Sequence, residues 1–380
     1  MNESKSSRYH RYRRWAEGLA VAAQASALAV SLAADVLSPL RETVLGISSG
    51  SVDPPLLNVM AASAIAGLAL SVLIDLFALP FVFYSRYVLE RRYHVSRLAF
   101  GVWSRTYAQA MGVHAIVWMS SAMTLYTIVH LWPVEWWIVA GAIFLLITVA
   151  TTYLGPRIVL PRLYNLRPIA RPELRARLDT LTRRVGTPVV EIQEWPVKDG
   201  TSRPAAALVG LGSTRQILLA DTLLADYSDD EIEVVTAHEL AHYVHHDGWQ
   251  TIACEGAVFT LACGTAHLVL DWTAPAFGLS GIRDVAGLPV LAMVAGGVEM
   301  ALAPVRNFLS RRQERRADRY ALEVTNNPEA LASTLRRWGS QTLAEERPSR
   351  LVEWFFCSHP SLGDRTAAAQ SSSTMSVSGG

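Results

Sequence analysis

Ser228-Asp-Asp-Glu-Ile-Glu-Val-Val-Thr-Ala-His-Glu-Leu-Ala-His-Tyr-Val244 is the stretch from which the rest of the chain can be read. Ser228 followed three residues later by Glu231 is a capping box, and it predicts a helix that starts about ten residues before His238. Ile232, Val234, Val235, Leu240 and Ala241 supply an apolar face for that helix. Positions i and i+4 of a helix share one face, one turn apart. His238 and His242 can therefore reach a single tetrahedral zinc ion, with Glu239 set to one side as general base toward water.

Two classes of third ligand are open to direct reading. The extended form HExxHxxGxxH needs Gly at 245 and His at 248; the chain has His245 and Gly248, which excludes it. The other class places a Glu on a second helix with an Asp one turn later, and Glu314-Arg-Arg-Ala-Asp318 has that spacing. Without the HExxH, the same stretch would read as a charged helix face laced with Arg. With it, Glu314 becomes the third zinc ligand, and Asp318 accepts the free ring N–H of a ligand histidine and fixes its tautomer. Three protein ligands leave one position open, as in catalytic rather than structural sites. Zinc so held polarises a carbonyl and lowers the pKa of water to about 7. Glu239 would take the proton of the water and later deliver it to a leaving amine. His245 lies too far along the helix axis to join the same tetrahedron and reads as structural support.

Composition says where this helix resides. Of 380 residues, 51% are hydrophobic and only 18% charged, more apolar content than a globular core uses. Six apolar stretches, 15–37, 56–84, 109–132, 136–157, 252–272 and 285–304, are long enough to cross a bilayer as helix. Arg8, Arg11, Arg13 and Arg14, then Arg86 to Arg105, Arg157 to Arg171 and Arg311 to Arg316 all fall on one side of such a bundle, which predicts that side to be cytoplasmic. Both termini and the catalytic domain then lie there. Trp103, Trp118, Trp132, Trp136 and Trp137 suit interfacial anchoring, and Asp75, Glu255, His267 and Glu299 suit internal pairing or the lining of a chamber. Cys254, Cys263 and Cys357 form no paired framework and read as small buried hydrophobes. No basic stripe interleaved with aromatics marks a nucleic-acid partner.

The expected organisation is a membrane domain over 1–160 and a peptidase domain split between 161–251 and 305–365. Two further spans lie over 252–304, and a Ser-, Ala- and Gly-rich tail over 366–380 is expected to be disordered.

Five ordered blocks resemble the CAAX prenyl protease type of integral-membrane zinc metallopeptidase. They are Glu90-Arg-Arg-Tyr-His-Val-Ser96, Pro161-Arg-Leu-Tyr-Asn-Leu-Arg-Pro168 and Ile217-Leu-Leu-Ala-Asp-Thr-Leu-Leu224, then the stretch Pro304 to Asp318 and Trp354-Phe-Phe-Cys-Ser-His-Pro-Ser-Leu-Gly-Asp-Arg365. The resemblance implies His359 as donor to the developing oxyanion, with Arg365 supporting the site. Taken alone, His359 before Pro360 would read as a helix cap. The family's eukaryotic proteases have seven crossings where six are counted here, and they carry Asn in the substrate strand where this chain has Ala205 or Ala206. Addition of a peptide to an edge strand over 205–211, with Ala205, Ala206, Ala207 and Leu208 in contact, remains the expected binding mode.

The expected fold class is a mostly α membrane bundle of about six transmembrane helices carrying a zincin-like α+β domain. A short sheet from 189–197, 205–211 and 215–220 should pack on the zinc helix. The expected activity is zinc-dependent endoproteolysis of peptides or membrane-associated proteins, with the lipid bilayer as the other partner. A membrane quality-control protease would share the same chemistry. An intramembrane protease would bury HExxH in an apolar span, which Ser228-Asp-Asp-Glu-Ile-Glu233 argues against. An inactive zinc scaffold would have no use for Glu239.

Overall fold

The computed structural model describes residues 5–40, 55–96, 98–187, 191–196 and 206–377. In chain order the helices used below are α1 (Lys5–Ala33), α2 (Leu56–Phe83), α3 (Phe100–Leu131), α4 (Trp136–Ile158), α5 (Pro172–Arg184), α6 (Asp229–Val244), α7 (Asp247–Thr273), α8 (Leu288–Thr325), α9 (Pro328–Thr342), α10 (Arg350–Phe356) and α11 (Leu362–Val377). The chain divides into two compact units, Met1–Phe144 with Glu255–Leu302 and Leu145–Cys254 with Ala303–Gly380. Among the described residues, six helical stretches are long and apolar enough to cross a membrane: Lys5–Ala33, Leu56–Arg92, Phe100–Leu131, Trp136–Ile158, Asp247–Phe277 and Val285–Thr325. These contain the six apolar stretches expected from the sequence to within a few residues at each end.

In the first unit, small residues let helices approach closely. Ala62, Ala66 and Leu70 of α2 are buried with Ala122 and Tyr126 of α3. A Cβ on Gly67 would come within 2.6 Å of the Trp118 carbonyl oxygen, so only glycine fits that crossing. Polar groups inside this unit pair with each other. His114 Nδ1 lies 3.0 Å from Asp75, and Trp118 Nε1 donates to His114 Nε2 at 2.8 Å. Trp136 is not an interfacial anchor: it is buried, and its Nε1 donates to His267 Nδ1 at 3.0 Å.

The second unit holds a four-stranded sheet in the order β1-β2-β4-β3, formed by Arg167–Pro168, Glu191–Trp195, Gln216–Ala220 and Ala206–Val209 respectively. β4 is central, parallel to β2 and antiparallel to β3, and its residues Ile217 to Ala220 are all buried. β3 is an edge. A strand buried on both faces reads as a continuous apolar run, which is why Ile217-Leu-Leu-Ala220 was legible. Leu174, Leu178 and Leu181 of α5 and Ile232, Ala237 and Leu240 of α6 close the core with Leu331 and Leu335 of α9.

Three expectations need correction. The sheet has a fourth, two-residue strand at Arg167–Pro168, too short to leave a periodic signal. The tail expected to be disordered over 366–380 continues α11 to Val377, with Ala369 only 1% exposed within the core. Alanine-rich composition there builds helix once one face has a partner. The residue that caps this helix is Ser361, whose Oγ accepts from the Asp364 N–H, rather than His359. Glu314 shares α8 with the last apolar span, and the helix runs through Pro304 without a break.

Candidate metal centre

α6 starts at the expected capping box. Ser228 Oγ accepts from the Glu231 N–H, and the Glu231 carboxylate accepts from the Ser228 N–H at 2.9 Å. The other Glu231 oxygen accepts from Ser333 Oγ at 2.8 Å, which ties the helix start to α9. Arg177 of α5 reaches Glu233 at 2.5 Å, and Arg171 pairs with Asp229. Cap, brace and apolar face together fix the rotation of α6, and so the direction of His238, Glu239 and His242.

α8 brings Glu314 against this pair. His238 Nε2 lies 3.4 Å from Glu314 Oε2, and His242 Nε2 lies 3.5 Å from Glu314 Oε1. The two imidazoles stand nearly perpendicular, with centroids 5.0 Å apart. One ligand atom from each of His238, His242 and Glu314 falls within 4.8 Å of the others, mostly buried. Two imidazole nitrogens and one carboxylate oxygen converging in this way are a donor set suited to a tetrahedral divalent ion such as zinc, with one position left over.

Each imidazole turns its other nitrogen to a carboxylate. His238 Nδ1 lies 2.9 Å from Asp318 Oδ1, one turn beyond Glu314 on α8, as expected from the spacing. His242 Nδ1 lies 2.9 Å from Asp247 Oδ2, a partner the sequence reading did not single out. Asp247 is buried and also pairs with Arg316. The chain reaches it by stopping α6 at His245 and turning through His246, whose φ of 57° is left-handed. The signal was present as an acid five residues past the second histidine, but only a helix stop between them brings the two together. His245 itself packs edge-on against Tyr320, the structural position expected of it.

The C-terminal block also meets this centre. Arg365, 6% exposed, makes a bidentate contact with Asp318 at 2.8 and 2.7 Å, and its Nη1 lies 3.5 Å from Glu314. His359 is more exposed and places Nδ1 3.1 Å from Glu314 Oε2. Of the expected substrate strand, Ala206, Ala207 and Leu208 lie in β3, and Ala205 lies outside the described residues. Ala206 of β3 lines the same cavity as Glu239, so β3 runs beside the candidate base.

Burial pushes the Glu239 carboxyl up, with the two histidines pulling it partly back. Burial works against charge on His238 and His242, yet their carboxylate partners outweigh it. His238 is raised, and His242 is raised to about 10 by Asp247 and Glu314. The Arg365 guanidinium is likewise penalised by burial and held charged by Asp318. A cavity of about 170 Å³ adjoins the centre, lined by His238, Glu239, Glu314 and His359 together with the apolar Leu331, Leu335 and Trp338.

Comparison with known proteins gives the family to which this chain belongs. A model of "Peptidase family M48" matches residues 168–373, and one of the "CAAX prenyl protease N-terminal, five membrane helices" region matches residues 3–165. The uncharacterized metalloprotease YhfN of Bacillus subtilis is 26% identical over 290 residues, covering 75% of this chain and 68% of that protein. CAAX prenyl protease 1 of Saccharomyces cerevisiae is 25% identical over 322 residues, covering 79% and 69%. A protease HtpX homolog of Gemmatimonas aurantiaca is 28% identical over 221 residues, covering 52% and 75%. The crystal structure of S. mikatae Ste24p superposes with a TM-score of 0.79 over 96% of this chain and 88% of that one, at 19% identity, a likeness of fold.

Proposed function

The chain belongs to peptidase family M48, an integral-membrane metalloprotease, and on that footing we propose that it is a zinc-dependent endopeptidase cutting peptides or membrane-associated proteins. His238, His242 and Glu314 would hold the ion, and Glu239 would act as general base. The observation that carries this reading is the convergence of three ligand atoms within 4.8 Å, with a carboxylate behind each imidazole.

Zinc held by His238, His242 and Glu314 would supply a Lewis acid for the scissile carbonyl and would acidify water to a pKa near 7. With Asp318 and Asp247 each 2.9 Å from an Nδ1, both Nε2 lone pairs would be left for ligation and both rings would be held. Glu239, kept receptive to a proton by burial, accepts one from the attacking water and passes it to the leaving nitrogen. His359, exposed beside Glu314, would donate to the developing oxyanion. Arg365 holds Asp318 in place and positions rather than reacts.

An extended peptide would add to the open edge of β3, next to Ala206 and Leu208, and set a side chain into the apolar cavity by Leu331, Leu335 and Trp338. The arginine-rich side of the bundle, with both termini and the metal centre, would face the cytoplasm.

The test is metal analysis and peptide cleavage on the purified full chain. Wild type should hold one zinc and lose cleavage on chelation. Glu314→Ala should lose both metal and cleavage. A stoichiometric zinc retained by Glu314→Ala would remove Glu314 from the ligand set.

A further inference from the structure

α10 is a seven-residue helix whose large apolar side chains have little protein around them. Ser349 caps it, its Oγ accepting from the Val352 N–H. Leu351, Trp354 and Phe356 are 72%, 50% and 69% exposed. Beside them on α8, Val305 and Phe308 are also more than half exposed. A surface in water seldom gathers so many large apolar groups.

The position of this patch along α8 is fixed by hydrogen bonds. Asn307 Nδ2 donates to the Phe355 carbonyl at 2.7 Å. Arg311, itself buried, donates through Nη1 to the Glu353 and Cys357 carbonyls at 2.7 and 2.6 Å. α10 is therefore held at the level of residues 307–311. α8 is one continuous helix, and the apolar run in its first half ends at Pro304. At 1.5 Å per residue, Asn307 stands roughly 4.5 Å farther along the axis. The headgroup layer on each side of a hydrocarbon core is about 5–8 Å deep. Trp354 and its neighbours thus sit at the height where aromatic side chains meet a bilayer surface.

Charge points the same way. Phe308, Leu351 and Trp354 share a concavity of about 340 Å³ with Arg311, Arg315 and Arg350, which outnumber the one acid there, Glu353. Arginine next to exposed aromatic and leucine side chains at this height fits an anionic headgroup above and acyl chains below.

We propose that α10 and residues 305–315 of α8 form a docking site for an anionic phospholipid of the membrane that α8 crosses. The acyl chains lie against Leu351, Trp354 and Phe356, and the phosphate lies by Arg315 and Arg350. The site depends on the membrane span of α8 and is independent of the metal centre.

The test uses the full chain with Cys254→Ser, Cys263→Ala and Cys357→Ser, spin-labelled singly through Leu351→Cys, Phe356→Cys or Thr180→Cys. Thr180 lies on an exposed face of α5 and serves as the aqueous control. The protein is placed in bilayer discs of phosphatidylcholine with a minority of phosphatidylglycerol. Labels at 351 and 356 should be reached by oxygen and shielded from a water-soluble nickel chelate, with the reverse at 180. Native mass spectrometry should find phosphatidylglycerol retained by the otherwise native chain. Arg315→Gln/Arg350→Gln, with unchanged melting temperature, should lower that retention about tenfold. Inorganic phosphate should not compete. Nickel access at 351 and 356 equal to that at 180 would overturn the proposal. So would shielding from both reagents, which marks a protein partner or a second copy. Equal lipid retention by the double variant, or displacement by free phosphate, would overturn the headgroup site.

Discussion

His238 and His242 stand one turn apart on the same helix, yet their supports are built in opposite ways. His238 leans on Asp318, 80 residues away on α8, and Asp318 is locked in turn by the buried Arg365 of α11. His242 leans on Asp247, five residues downstream, clamped by Arg316 from α8. One brace draws distant parts of the unit together; the other is a local turn. The difference separates two duties of a carboxylate: fixing a ring and holding a fold.

Asp318→Ala should have the largest effect. It strips His238 of its partner and leaves the buried Arg365 with Glu314, 3.5 Å away, as its remaining counter-charge, a cost of about 3 kcal/mol. Zinc affinity should fall about 10–100-fold as well. Asp318→Leu/Arg365→Met should recover much of the stability and none of the affinity. Denaturant melts and zinc titrations read the two quantities separately. If the single variant melted like wild type, the long-range brace would carry no fold energy.

Asp247→Asn should show the local pattern. Zinc affinity drops by about 10–100-fold, while stability falls by only about 1–2 kcal/mol, because Arg316 keeps some access to water. Equal losses of stability in Asp247→Asn and Asp318→Ala would erase the distinction.

The local brace also sets a pH dependence. His242 is raised to about 10 in the folded, metal-free protein, against about 6.5 for an unfolded histidine. A raised folded value adds stability that is complete below about pH 6.5 and is lost as pH rises through about 10. The melting temperature of metal-stripped protein should therefore fall between pH 7 and 10, and more steeply than that of Asp247→Asn. A flat profile would mean that His242 gains nothing from its partners.

The smallest effect belongs to the turn that makes the local brace. His246 adopts a left-handed φ of 57°, where a β-branched side chain is strained. His246→Val should cost about 1–2 kcal/mol, and His246→Gly should be tolerated. Equal melting of both variants would detach the turn from the site.

This contrast also marks what the sequence disclosed. The capping box at Ser228, the histidine pair, the Glu314 to Asp318 spacing and the apolar run of β4 are periodic, local patterns, and all are found where they were expected. Asp247 was missed because its approach depends on a left-handed turn at a histidine, a residue that does not announce one. The continuity of α8 was hidden because hydropathy changes near Pro304 while the backbone hydrogen-bond ladder carries on past it. The order of 366–377 was hidden because Ser and Ala composition says nothing of the partner that buries Ala369. Arg365 came only from family resemblance; its salt bridge with Asp318 joins residues 47 apart in the chain.

The most direct test of the account is Glu239→Gln in this chain, assayed in parallel for zinc content and peptide cleavage. The variant keeps every proposed ligand and removes only the proton acceptor. It should bind one zinc with unchanged affinity and lose cleavage by about 100–10,000-fold. Cleavage at the wild-type rate would contradict the account, and loss of zinc from the variant would show that Glu239 belongs to the metal's own cage instead.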